Sequence, residues 1–275
     1  MTRSRLVLRT GLAAFIVAAA FIPVHKVRAA GFDDYTSPRN ADVDASGAKS
    51  IEVSAGAGSL RIEGRSGITR VQVRGTARSS SRGRLDDIKL IAERRGDVVF
   101  IKSDMPDDEN SGWKSTRGDW NMALDLVIEV PMNVALDVED GSGDMKIISV
   151  GPLHLVDGSG ELDINGVKGN ATVEDGSGNL TIENVEGTLH VSDGSGNINV
   201  KNVVGDFEVN EDGSGDIDAV GVGGTMRVDE DGSGNIDVER IAGDFLVNHK
   251  GSGSIRSSEV KGKIDIPDRH RRRGY

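Results

Sequence analysis

Six aspartates recur along the chain, at Asp140, Asp157, Asp175, Asp193, Asp212 and Asp231, each followed by Gly-Ser-Gly, and the series closes on Lys250-Gly-Ser-Gly. The spacings are 17, 18, 18, 19, 19 and 19 residues. If each interval is one turn of a stack, the carboxylates stand about 4.8 Å apart. Unit charges at that distance repel by about 0.9 kcal/mol in water and several times more at a lower effective dielectric. Two arrangements would relieve this. In an Asx-type turn, each carboxylate accepts from backbone N–H groups of its own Gly-Ser-Gly corner. Alternatively, divalent cations, calcium above all, bind along the ladder through hard oxygen ligands, which makes the six aspartates the candidate metal-binding residues.

Other reactive side chains are sparse. Serines at 142, 159, 177, 195, 214, 233 and 252 keep the same period, and none stands in a G-x-S-x-G elbow, so they read as turn residues rather than nucleophiles. His154 and His190 fall two repeats apart, about 10 Å on the same spacing and too far to share one metal ion. The absence of Cys excludes disulfides, thiolate metal sites and thiol catalysis. No acid/base pair stands out from the repeating carboxylates, which puts a carbohydrate-active enzyme behind a non-enzymatic protein. Trp113 and Trp120 sit in the polar run 103–121. Such a loop is a candidate interaction element for an envelope protein or a surface glycan, the alternative being that it folds over an open end of the stack.

The RTX calcium nonapeptide is a false match. The position that would carry its ligand aspartate holds Leu180, Ile198, Ile217 or Ile236.

Charge is partitioned along the chain. Residues 1–29 carry five bases and no acid around an apolar stretch from Gly11 to Ile22. This reads as a signal peptide cut after Ala29, with Val27 and Ala29 as the small residues a peptidase requires. The apolar stretch is shorter than the ~20 residues that span a bilayer. The mature chain is therefore expected to lack a transmembrane span and to be exported, to the periplasm, the cell envelope or the surface. Residues 137–249 hold 24 acids against 5 bases, a net of −19 hidden inside the overall −11. Such a surface repels nucleic acid. The tail 268–275, with Arg269, Arg271, Arg272 and Arg273, is basic enough to contact anionic lipid.

These residues need a scaffold, and the repeat supplies it. Within one interval Ile198, Val200, Val203, Phe207 and Val209 are apolar, and Ile236, Val238, Ile241, Phe245 and Val247 reproduce the pattern in a later one. Each outer pair has the period of two that turns alternate side chains to one face of a strand. The chain is thus read as all-β, a β-solenoid of stacked two-strand coils of 17–19 residues, with equivalent residues in ladders. One inward column runs Met145, Leu162, Leu180, Ile198, Ile217, Ile236, Ile255, and another Leu155, Val173, Val191, Val209, Val228, Val247, Ile266. The Gly-Ser-Gly triplets, and the second glycine series from Gly169 to Gly262, are expected to supply positive φ at corners. Of the 37 glycines, many are therefore punctuation. The domain reading is a linker over 30–44, an irregular N-terminal solenoid part over 45–136 containing the polar loop 103–121, and regular coils over 137–267. Strands are expected at 87–93, 97–102 and 121–130, and no helix after the leader.

A degenerate coil (Ile51, Val53, Ala55-Gly56-Ala57-Gly58, Leu60, Ile62), a long middle loop, a strand closing on Val130-Pro131 and Gly-centred short coils resemble the bacterial exported family labelled "putative adhesin", a domain of unknown function. The resemblance spans roughly residues 45–266. It implies an envelope β-solenoid with no established catalytic residues.

Overall fold

The computed structural model describes residues 25–29, 32–106 and 122–267. Among them the chain forms strands and a single 3-10 turn, Arg82–Asp87. Two sheets, of 12 and 11 strands, enclose one aliphatic core in a β-solenoid of about seven turns. Each regular coil gives one strand to each sheet. Leu162–Val167 joins the first and Ala171–Asp175 the second, and each pairs in parallel with its counterpart one coil away.

The expected ladders form. Leu162 pairs with Leu180, Leu180 with Ile198 and Ile198 with Ile217, while Val173 pairs with Val191 and Val191 with Val209. Every one of these side chains is buried. The second column stops short of Ile266, which is 40% exposed beyond the last strand, Ile264–Asp265. Replacing Ile182, wholly buried in this stack, by Val should cost about 1 kcal/mol in denaturant unfolding, because one methylene leaves a well-packed column. A loss above about 3 kcal/mol would mean that the coil cannot relax around the gap.

The Gly-Ser-Gly corners take positive φ at their second glycines, but the opposite left-handed corner lies elsewhere than the second glycine series suggests. In the second glycine series only Gly169 has positive φ; the positions that turn are Ser149, Gly166, Asn184, Asn202, Gly221, Arg240 and Glu259. In the interior coils each falls in a three-residue step between inward residues, as Asn184 does between Ile182 and Val185, and the reversal returns the third residue to the core. Glycine is needed in the second series for coil spacing instead. A Cβ on Gly205 would lie 2.7 Å from the carbonyl oxygen of Gly187 in the preceding coil.

Residues 50–131 confirm the expected strands, at Lys89–Arg95, Val98–Asp104 and Met122–Pro131, but they stack out of chain order. The coil made by Ser50–Ser54 and Leu60–Arg65 is inserted between two others. On one side Ile51 pairs with Val99 and Leu60 with Leu126; on the other Ile51 pairs with Leu136 and Leu60 with Met145.

The segment read as a linker is largely a strand. Phe32–Asp44 pairs antiparallel with Arg70–Ser79 over ten residues, and its outer neighbour is His25–Ala29, which the leader reading had assigned to the signal peptide. Polar residues mask this strand in the sequence, since Ala41 and Val43 alternate with Asn40, Asp42 and Asp44 and only the former turn toward the core.

The first end of the stack is closed by Leu85 and Ile88, both buried, around the 3-10 turn. Arg39 holds that turn, donating from Nη2 to the Leu85 carbonyl at 2.6 Å and from Nε to the Ile88 carbonyl at 2.8 Å.

Candidate functional site

The aspartate column is inside the solenoid. In Ala171–Asp175 the residues alternate inward and outward, and Asp175 follows Val173 on the inward parity. Register stacks Asp140, Asp157, Asp175, Asp193, Asp212 and Asp231 in consecutive coils and sets Lys250 after Asp231. Where the coils lengthen to 19 residues, the extra residue is absorbed by a register shift after Val191, so that Asp193 still meets Asp212. All six side chains are buried, with 1 to 7% of each residue exposed.

Their hydrogen bonding is incomplete. The N–H groups of Ser177 and Ser195 donate to Oδ1 of Asp175 and Asp193, both at 3.2 Å, as an Asx turn requires. Both carboxyl oxygens of Asp140, Asp157 and Asp212 lack a partner in good hydrogen-bond geometry, as does one oxygen each of Asp175, Asp193 and Asp231; the corner N–H groups beside Asp140 and Asp157 stand near but misaligned. Other side-chain bonding at the corners runs between coils, in a different, exposed column. Asp216 N–H donates to Asn197 Oδ1 at 3.0 Å, and Asn235 N–H donates to Asp216 Oδ1 at 2.7 Å.

Burial without partners favours the neutral acid. It pushes Asp140 up to about 7 from an ordinary 3.8, with the charge of Asp157 adding to the effect. Asp157 and Asp175 are pushed to about 6 by burial and by the next aspartate in the column, against weaker pulls from corner N–H groups. Asp193 is raised by burial. Asp212 rises to about 7 through burial, Asp231 and Asp193, with Lys250 pulling the other way.

Lys250 ends the column as an internal counter-ion. Its Nζ bonds Asp231 Oδ2 and donates to the carbonyls of Gly234 at 2.7 Å and Ser252 at 2.8 Å. The Lys250 side chain is 6% exposed and that of Asp231 is wholly buried. Period-two parity carried past Val173 to Asp175 is the signal that finds this column. Counting aspartate as a turn residue obscures it.

The other candidates do not converge. His154 Nδ1 meets Asp137 Oδ1 at 2.9 Å and His190 Nδ1 meets Glu208 Oε2 at 3.1 Å, so each histidine has its own carboxylate on the outer face. The serine corners bond through the backbone, Gly160 N–H donating to the Ser177 carbonyl at 3.1 Å. Trp113, Trp120 and the basic tail 268–275 lie outside the described residues. Among the described residues no group of three His, Cys, Asp or Glu side chains is placed to hold a metal ion. A shallow groove of about 600 Å³ lies on the outer face of the 12-stranded sheet, lined by Lys146, Asp163, Asn165, Asn179, Thr181 and Glu183 among others.

With this architecture in place, comparison with known proteins can be stated. The chain is similar to solved structures described as putative adhesins. One, from Bacteroides fragilis, is 16% identical with a TM-score of 0.47, the match covering 83% of this chain and 96% of that one. Another, from Parabacteroides merdae, is 12% identical with a TM-score of 0.36, covering 87% and 98%. A structure described as a putative lipid-binding protein, from Parabacteroides distasonis, is 15% identical with a TM-score of 0.40, covering 82% and 96%. The first two descriptions carry the label of the family that the repeat resembles, and at these TM-scores they assign this chain neither family nor role. At such identities the likeness concerns chain path and assigns no residue a role. No protein-family model and no curated protein matches the chain. Among the described residues no helix is long and apolar enough to cross a membrane.

Proposed function

We propose that this protein is a non-enzymatic, exported envelope or surface β-solenoid that binds envelope or surface partners through its outer faces, in the manner of an adhesin. The observation that supports it most is the outer face of the 12-stranded sheet. Lys146, Asp163, Thr181 and Asn199 stand in register one coil apart, next to Ile148, Asn165, Glu183 and Lys201. This arrangement presents polar groups at a regular spacing of about 4.8 Å, set by strand pairing and stiffened by the aliphatic core beneath. A rigid array of shallow polar positions suits an extended partner such as a surface glycan, whose hydroxyls also repeat. It offers no enclosed volume for chemistry on a small substrate.

The test is binding of the purified protein to envelope fractions and to a glycan array. Saturable binding is expected, and Glu183→Ala should weaken it about five-fold, the effect of losing one hydrogen bond of about 1 kcal/mol. Asn165 now donates to Glu183 at 3.2 Å, so this change also frees the groove's own polar contact. Absence of saturable binding to either material would refute the reading.

A further inference from the structure

The carboxylate column is a larger and more unusual feature than surface recognition requires. Six aspartates occupy inward positions where the neighbouring columns carry apolar residues, and many of their oxygens have no partner. Six buried anions in a row would oppose folding strongly, since each ion must be desolvated beside a like charge. Lys250 can neutralise one of them, Asp231, and the aspartates further along receive no cationic side chain.

The surroundings leave few other groups to set the charge state. Residues immediately before the aspartates, Glu139, Glu174, Glu211, Glu230 and His249 in the coils that carry them, alternate to the outer face and are exposed. Within each coil the inner neighbours are aliphatic, as Val173 and Leu180 are for Asp175. At the first end Ala55, which donates to the Glu139 carbonyl, follows the register one step past the Ser54–Glu139 pair and so stacks over Asp140. The charges acting on the column are its own members and Lys250.

We propose that Asp140 to Asp212 form a proton-sharing carboxyl ladder, closed at its far end by the Asp231–Lys250 pair, which binds protons on folding and strengthens the solenoid as its surroundings are acidified. Each protonated carboxyl can donate its O–H to an oxygen of the next coil, giving the unpartnered oxygens partners without metal or water. Successive members are paired neighbours in register, which places donor and acceptor one strand spacing apart before side chains adjust. The folded chain then holds more protons than the unfolded chain between the ordinary carboxylate range and neutrality. Its stability must fall as pH rises through that window and recover as pH drops. This inference does not depend on the surface-binding reading.

Thermal unfolding of the purified protein between about pH 8 and about pH 5 tests it. The parent should gain about 5 °C or more on acidification. Asp175→Asn, a neutral residue of the same shape, should melt above the parent at the alkaline end and show a shallower pH dependence. Glu174→Gln, the exposed neighbour, should keep the parent's profile. An Asp175→Asn profile parallel to the parent's would overturn the proposal. So would a calcium-induced rise in melting temperature that a chelator reverses and Asp175→Asn abolishes, since that result assigns the column to cations. Should the variant not fold, infrared difference spectra of the parent decide the matter. A protonated-carboxyl band in the folded protein at about pH 6, where exposed carboxylates are ionised, supports the ladder, and its absence refutes it.

Discussion

Gly196→Ala is expected to leave no intact solenoid. Gly196 has φ of +147°, which L residues rarely adopt, and an added Cβ would lie 1.5 Å from the Gly178 carbonyl oxygen and 2.6 Å from its carbon. Both atoms belong to the backbone of the preceding coil, so no side chain can swing aside. The corner is also pinned from both directions, with Gly196 N–H donating to Ser214 at 2.8 Å and Gly178 N–H to Ser195 at 3.0 Å. Relief would require parting two coils, and in a stack held by nearest-neighbour interfaces that separates the structure into two pieces. The expected cost exceeds about 4 kcal/mol, in the range reserved for severe backbone conflicts. Gly47→Ala is the matched control. Gly47 also has positive φ, +69°, but an added Cβ meets nothing within 4 Å, so strain of about 1–2 kcal/mol is all that should appear. Circular dichroism and denaturant unfolding of the two variants measure the contrast, and similar stabilities would refute the tight-corner account.

Lys250→Met is the second large effect. Methionine keeps most of the aliphatic stem while removing the ammonium that bonds Asp231 and two carbonyls. Breaking a buried pair from one side leaves an uncompensated charge, at a cost of about 3–5 kcal/mol. The loss should be greatest near about pH 8 and shrink toward about pH 5, because protonation of Asp140 to Asp212 lessens the repulsion on the Asp231 charge that Lys250 no longer balances. Combining Lys250→Met with Asp231→Asn should restore most of the stability, since both charges are then gone. A double variant no better than Lys250→Met would show that the lysine acts by packing alone.

These effects bear on how the fold was readable. The coil period, the two strands in each coil and the core columns through Leu180 and Val173 could be read directly, because strand pairing at one spacing forces equivalent residues to superpose. The Gly-Ser-Gly corners were legible for the same reason, as their second glycines do take positive φ. The role of Gly205 was not, since nothing local distinguishes a glycine needed for its own φ from one needed by the coil beside it. Phe32–Asp44 was hidden because an edge-side strand bound through its backbone to Arg70–Ser79 needs few apolar residues.

The repeat pattern alone carried the β-solenoid, its coil period and the apolar residues that fill its core columns as far as Val247. Only the tertiary structure decided two further things. The coil of residues 50–65 lies between coils formed later in the chain, because a parallel coil has two equivalent edges and no period dictates which segment covers each. The charge state of the aspartates, whose inward turn period-two parity already carries, depends on neighbours 17 to 19 residues away that only register through the coils brings together.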